Sequence, residues 1–296
     1  MCDPVRRRPT PAQAHRRMQS LSLFFESWDL FWQPTLAGAL AGATLGFLGV
    51  YVVARRMVFL SAALSQIAGL GVALAFWLRV ATGIALSPLL GASAATLAGI
   101  FGVMSDKSPN GARRDSVLGV LFLLGSAGTL AVGTRIVEEV QDIQSLLFGS
   151  AVAILQTEFW ILVSVLLTVT LLHLWWGRGF IAVSVDQEDS RVRGIRLKLV
   201  DAVLLGTIAL SIGVSTRVLG ALPTFAFSIL PAFAALHLAP NIPRAMFIAA
   251  GIGAASGFFG YLLAFAWELP VGASQTLIAA LFVFLVQAGS VRLGRK

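Results

Sequence analysis

The run from Phe31 to Ala54, FWQPTLAGALAGATLGFLGVYVVA, contains no charged side chain in 24 residues. A helix of about 20 apolar residues crosses a hydrocarbon core of roughly 30 Å. Backbone N–H and C=O groups find no water in that core, so the run has to satisfy them internally as a helix. The run therefore predicts a membrane-spanning helix.

Similar runs recur to the C-terminus. Of the 296 residues, 57% are hydrophobic and 12% are charged, whereas soluble domains carry roughly 25% charged residues. The sequence lacks the alternating strands of about 10 residues that build a membrane β-barrel. We therefore expect an all-α, polytopic transmembrane helical bundle of about eight to ten segments. The candidate spans are Phe31–Ala54, Met57–Leu78, Ala81–Met104, Ser116–Thr134, Glu158–Trp176, Leu199–Ser215, Val218–Leu238, Ala245–Trp267 and Val271–Val286.

One membrane domain accounts for most of the chain. We assign residues 30–290 to this domain, residues 1–29 to a basic N-terminal tail and lead-in, and residues 291–296 to a cytoplasmic tail. Met18 offers an alternative start within the N-terminal tail. The apolar stretch Ile143–Leu155 is too short to span comfortably, which favours a re-entrant or broken helix.

Lys and Arg residues in short connectors indicate the orientation. The connector Gly177–Lys198 contains four arginines and one lysine, so we expect it on the cytoplasmic side. The connector with Glu138, Glu139 and Asp142 is acidic, which suits the outer face. The N-terminus conflicts with this scheme, because nine crossings place it outside although residues 1–29 contain five arginines.

The net charge of +8 does not indicate nucleic-acid binding. The basic residues are scattered among the connectors instead of forming one patch, and positive connectors are ordinary in membrane proteins. The single cysteine, Cys2, supports neither an intrachain disulfide nor a cysteine-based metal site.

Glycines recur at a spacing that suits helix packing. Gly38, Gly42 and Gly46 fall four residues apart and share one helix face, as do Gly253 and Gly257. Small residues at this spacing let helix backbones approach closely within lipid. We therefore interpret these five glycines as packing positions.

The sequence lacks the common ATP-binding loop. Gly-x-x-x-x-Gly-Lys-Ser/Thr requires a lysine after a glycine, whereas the three lysines follow Asp106, Leu197 and Arg295. Any dependence on ATP must therefore come from a partner chain. Paired carboxylates, spaced metal-binding histidines and a nucleophile–base set are missing too, so we predict neither an enzyme nor a bound cofactor.

Polar side chains form stripes within two spans. Thr207, Ser211 and Ser215 recur every fourth residue and share one helix face, and Ser65 and Gln66 lie within the second span. These groups either form hydrogen bonds between helices or line a water-filled translocation path. The residues alone leave both interpretations open.

Two ionisable side chains near span ends have structural interpretations. His173 precedes Trp175–Trp176, and amphipathic rings favour the membrane interface. Asp201 follows Arg196 and Lys198 closely, so we predict an interfacial ion pair with one of those two residues.

Several short motifs keep one order from about residue 30 to the C-terminus. They are Gly46–Met57, Ala63–Gln66, Gly71–Ala73, Leu146–Ser150, Val185–Ile195, Arg217–Gly220, Ser228–Ala232 and Leu269–Ala273. Each motif is weak alone. Together they resemble the permease (membrane-spanning) subunit of the zinc, manganese and iron ABC importer family.

The resemblance implies a metal ABC-permease fold and a division of labour. Two permeases would form a homodimer around a central path in the bacterial cytoplasmic (inner) membrane, with a divalent metal ion as transported substrate. A cytoplasmic ABC ATPase subunit would drive transport, and an extracytoplasmic metal-binding protein would deliver the ion. The basic connector would dock into the ATPase through Asp186, Glu188, Ser190 and Gly194.

One position departs from the family pattern. Members commonly carry Asp-Ala-Leu-Ser-His in the second span, which places a carboxylate and an imidazole on one helix face, a pair suited to a divalent cation. This sequence has Ala62 and Gln66 instead. The resemblance therefore supplies no confident metal ligand, and a non-metal or chelated substrate stays open.

Two other classes of protein stay open as well. A secondary carrier usually places ionisable groups at the membrane midplane to couple an ion gradient, and the spans hold almost none. A membrane scaffold would use its polar stripes only to join helices. A stoichiometric ATPase partner is expected for the ABC permease alone.

Overall fold

The computed structural model describes residues 24, 26–105, 111–136, 154–185, 187–192, 194 and 196–292. These residues form ten helices and no strand. The helices are α1 (Trp28–Ala54), α2 (Val58–Thr82), α3 (Pro88–Met104), α4 (Gly111–Gly133), α5 (Gln156–Val185), α6 (Gln187–Val192), α7 (Leu197–Leu219), α8 (Ala221–Leu238), α9 (Ile242–Trp267) and α10 (Val271–Arg292).

Eight of these helices are long and apolar enough to cross a membrane, and α3 is a shorter apolar helix of 17 residues. The all-α polytopic bundle that the sequence predicts is thereby confirmed. Most of the N-terminal tail lies outside the described residues, as do residues 143–153 of the predicted re-entrant stretch.

Several helix boundaries differ from the predicted spans. Gly83 ends α2 with a left-handed φ of 73°, and Pro88 then takes the first position of α3, where its missing N–H costs nothing. The span predicted to begin at Ala81 is therefore two pieces. Helix α5 continues to Val185 instead of ending at the Trp pair, and Gly220, with φ 97°, separates α7 from α8.

Glycines bring α1 and α9 into backbone contact. A Cβ atom on Gly42 would overlap the carbonyl of Gly253, and one on Gly38 would lie against the carbonyl of Gly257. Gly46 extends this contact by one further turn. Because later residues of α1 meet earlier residues of α9, the two helices are antiparallel, and no larger side chain fits between them.

The bundle has two groups of helices. Helices α1, α8, α9 and α10 pack against one another, while α2 packs against α3 and α4, and α3 packs against α7. Helix α5 contacts α1 and α7. The groups also meet directly, because α8 packs against α2 and α7, and α1 packs against α7.

Polar contacts define the two ends of the bundle. Arg55 at the end of α1, Ser184 near the end of α5 and Asp201 near the start of α7 meet at one end, called here the basic end. Glu158 near the start of α5 and Arg217 near the end of α7 meet at the far end. Helices α1 and α5 are therefore parallel and α7 is antiparallel to both, as consecutive crossings require.

Candidate translocation path and connector

The polar part of α2 is an uncharged interior surface. Ser61 and Ser65 are buried, and the Ser65 hydroxyl donates to the Ser61 carbonyl oxygen at 2.9 Å. Ala62 is 6% exposed. Gln66 is half-buried, with its backbone against Gly125 of α4. Positions 62 and 66 thus hold a methyl group and a neutral amide.

The polar stripe of α7 lies inside the protein. Thr207 Oγ1 is 2.8 Å from the Val203 carbonyl oxygen and 3.4 Å from Nε2 of His173 on α5. Ser211 and Ser215 are fully buried, and their hydroxyls have no hydrogen-bond partner among the described residues. An unpartnered buried hydroxyl costs roughly 1–3 kcal/mol. In this conformation, therefore, neither serine makes the interhelical hydrogen bond that one interpretation predicts.

The two polar parts face different neighbours. Thr207 lies toward α5, whereas the backbone of Gln66 lies against α4. Within the described ranges, no hydrogen bond joins Ser65 or Gln66 to the stripe on α7. Helices α2 and α7 nevertheless pack against each other, so the two polar parts lie on neighbouring helices.

Helix α3 supplies hydroxyls that the sequence analysis missed. A Cβ atom on Gly213 of α7 would lie 2.7 Å from Oγ1 of Thr96 and 3.1 Å from Cα of Ser93. The Ser93 hydroxyl is buried without a partner among the described residues. In the sequence, Ser93 and Thr96 are marked only by lying three residues apart within an apolar span, a pattern that is common in packed membrane helices.

The predicted partner of Asp201 is wrong. Asp201 pairs with Arg55 of α1, and not with Arg196 or Lys198. The Arg55 side chain is 7% exposed and its Nε donates to Ser184 Oγ at 3.0 Å. Lys198 and Arg196 are exposed to solvent, and the end of α1 reaches Asp201 instead.

A second ion pair closes the far end. Nη2 of Arg217 lies 3.1 Å from Oε1 of Glu158, and their side chains are 19% and 15% exposed. The Arg217 guanidinium also lies 5.6 Å from the ring centre of Phe76 on α2. Helix α7 is therefore held by a charge pair at each of its ends.

His173 packs inside the protein. Its ring is 1% exposed, stacks on Phe180 at 4.6 Å between centroids, and lies 5.7 Å from the Tyr51 ring. Nδ1 is 2.9 Å from the Val169 carbonyl oxygen. Because α5 continues past the Trp pair, His173 packs within the bundle, which agrees with the structural role that the sequence favours.

The connector between α5 and α7 contains the short helix α6. Ser190 is 1% exposed, and α6 packs against both α5 and α7. The Gly194 N–H donates to the Arg191 carbonyl oxygen at 3.1 Å, with a Gly194 φ of 73° that favours glycine. Asp186 lies outside the described residues, and only the backbone of Glu188 is described.

The described residues contain no group of three or more His, Cys, Asp or Glu side chains that could hold a metal ion. The interior surfaces of α2, α3 and α7 instead offer hydroxyl and amide oxygens. Such groups suit transient contact with a passing solute better than permanent metal binding.

Comparison with known proteins gives consistent matches. Residues 27–289 match the family described as "ABC 3 transport family". The manganese import system permease protein ScaB of Streptococcus pneumoniae is 26% identical over 257 residues, covering 86% of this chain and 89% of that protein. The manganese transport system membrane protein MntC of Halalkalibacterium halodurans is 24% identical over 274 residues, covering 89% of each.

A solved structure shares the fold. The structure titled "PsaBC from Streptococcus pneumoniae in complex with Fab" superposes with a TM-score of 0.79 at 21% sequence identity, covering 90% of this chain and 95% of that chain. The helix arrangement is thus found in an experimental structure.

Proposed function

The chain belongs to the ABC 3 transport family, and on that premise we propose that it is the membrane permease subunit of an ATP-binding cassette importer of a divalent metal ion. The observation that carries the proposal is the family match, which runs from before α1 into α10. Manganese is the first choice among manganese, zinc and iron, because two relatives are named as manganese transporters.

The energy for transport comes from a partner. The chain has no Gly-Lys ATP-binding loop, so ATP hydrolysis belongs to a cytoplasmic ABC ATPase subunit. The connector with α6 is the docking segment, acting through Asp186, Glu188, Ser190 and Gly194. An extracytoplasmic metal-binding protein delivers the ion, and two permeases form a homodimer in the bacterial inner membrane.

The path uses neutral oxygen atoms. Ser65 and Gln66 on α2, with Thr207, Ser211 and Ser215 on α7, supply them from the interior of the bundle. A conducting site has to bind an ion weakly enough to release it. Buried hydroxyls without partners, such as those of Ser211 and Ser215, are available to water or a solute when the helices separate.

A second candidate substrate is a chelated metal. Ala62 and Gln66 offer no anionic ligand to a bare cation. Hydroxyl and amide groups can instead form hydrogen bonds with the polar atoms of the chelator around a metal ion. A secondary carrier is less well supported, because the two ion pairs found among the described residues lie at the bundle ends, away from the midplane.

Co-purification with a candidate ATPase tests the proposal. The wild-type chain should retain the ATPase in stoichiometric amount, and replacing Gln187–Val192 by a glycine-serine segment should release it while the bundle stays folded. With the binding protein present, manganese should stimulate ATP hydrolysis. A wild-type chain that retains no ATPase would refute the permease assignment, whereas retention without stimulation by manganese, zinc or iron would refute only the metal.

A further inference from the structure

Arg55 contacts the helices on both sides of α6. Its guanidinium donates to the Ser184 hydroxyl near the end of α5 and pairs with Asp201 just after the start of α7. Arg55 itself belongs to neither flank, because it follows the last residue of α1. One side chain therefore ties α1 to the helix before the connector and to the helix after it.

The contact of Arg55 with Ser184 and Asp201, called here the Arg55 tie, is buried and contains a charge-assisted hydrogen bond. The Arg55 side chain is 7% exposed and the Asp201 side chain 30%, so solvent competes weakly for the pair. Hydrogen bonds with an ionised partner are roughly twice as strong as neutral ones. A positive group at the end of α1 also suits the negative end of the helix dipole.

Helix α6 lies between the two tied flanks. It packs against α5 and α7, and the side chain of Ser190 is buried in the bundle. A push on α6 therefore acts directly on α5 and α7. Helix α1 packs against α5 and α7 as well, and it also packs against α8 and α9 in the other helix group. Arg55 thus adds a buried, charged contact between the connector flanks and a helix that packs with that second group.

We propose that Arg55 is a positioning residue that makes α1 move with α5 and α7 at the basic end, so that displacement of α6 by the ATPase reaches both helix groups. The proposal rests on the proposed function, and it names the residue through which that function is coupled. Rigid packed elements with two discrete arrangements carry coupling of this kind.

The test compares Arg55→Gln and Asp201→Asn with Arg56→Gln as the matched control. Arg56 is the next residue and is exposed, so its variant removes the same charge without breaking the tie. Each permease is reconstituted with its ATPase and binding protein, and manganese moved per ATP hydrolysed is measured. We expect this ratio to fall roughly tenfold in the two tie variants, within the range of coupling between sites, while hydrolysis continues. The control should keep the wild-type ratio.

Two results would overturn the proposal. One is an unchanged ratio in both tie variants, and the other is a parallel loss of transport and hydrolysis, which indicates a purely structural role. The wild-type complex distinguishes failure of this proposal from failure of the proposed function. A wild-type complex that transports no manganese refutes the proposed function. A wild-type complex that transports manganese with the same ratio to ATP hydrolysis as both variants refutes only the role of Arg55. Asp201→Asn provides the answer if Arg55→Gln does not fold.

A distance measurement gives a readout without metal. Spin labels at Ala54 and Val192, both exposed, report the separation of the ends of α1 and α6 in a Cys2→Ser background. In the wild-type complex the distance should be equal with ADP and with a non-hydrolysable ATP analogue. In Arg55→Gln it should differ between the two nucleotides. Equal distances in the variant would contradict a tie through Arg55.

Discussion

Gln66 and Ala62 decide how strongly α2 can hold a cation. Both positions lie on one face of the helix, because residues four apart are one turn apart. Ala62 is nearly buried and Gln66 is half-buried, so charged groups placed there would face each other in a partly desolvated setting. Electrostatic attraction to a divalent ion is stronger there than in water.

The double change Ala62→Asp with Gln66→His tests this directly. A carboxylate and an imidazole one turn apart supply two ligands that the wild type lacks, so manganese should bind the purified permease at least about tenfold more tightly, equivalent to about 1.4 kcal/mol. Isothermal titration calorimetry measures the affinity, and each single variant is the control. Equal affinities for wild type and double variant would show that these positions do not face the path.

Ionisable residues show where sequence reasoning reaches its limit. Asp201 is expected to form an ion pair, but its neighbours in sequence are not its partners in space. Arg55 lies far away in the sequence and comes close because α7 packs antiparallel to α1, so that the start of α7 meets the end of α1. Pairing of this kind depends on helix packing, which the local spacing of charges does not contain.

The contact of α1 with α9 shows what the sequence does contain at the scale of the element. Glycines four residues apart predict a close approach, and in the structure Gly42 and Gly253 leave no room for a Cβ atom. The spacing identifies the face of each helix. It does not identify the partner helix, which the structure supplies.

Two neighbouring glycines of α9 give a matched pair of variants. Gly253→Ala places a methyl group against a backbone carbonyl that cannot swing away, so it should destabilise the bundle by roughly 1–3 kcal/mol. A Cβ atom on Gly251 meets nothing within 4 Å, so Gly251→Ala should be neutral or stabilising by up to about 1 kcal/mol. Thermal unfolding in detergent compares them. Equal effects would contradict the close approach of α1 and α9.

The end of a helix was predictable only where a charged residue, glycine or proline follows directly on the end of an apolar run. Apolar length predicts α1 well, since both span and helix end at Ala54. It fails at α5, because packing of Phe180 and Val183 in the core continues the helix beyond the apolar run. At α3 the signals Gly83 and Pro88 are present in the sequence, but apolar residues around them conceal the break.

The whole molecule is a bundle of two helix groups with charge pairs at both ends of α7. Apolar runs predict its class and its approximate number of crossings, and the motif order predicts its family, which the family match confirms. The sequence does not predict that Gln66 of α2 meets α4 while Thr207 of α7 meets α5, since those contacts depend on how the helices pack.

The central claim at this scale is that this chain provides the translocation path, while a separate ATPase subunit provides the energy. Uptake of manganese into proteoliposomes, measured with and without the ATPase subunit, tests it most directly. With binding protein, ATPase and ATP present, manganese should accumulate, and omission of either ATP or the ATPase should abolish accumulation. Accumulation by the purified chain alone, driven by an ion gradient, would contradict the account.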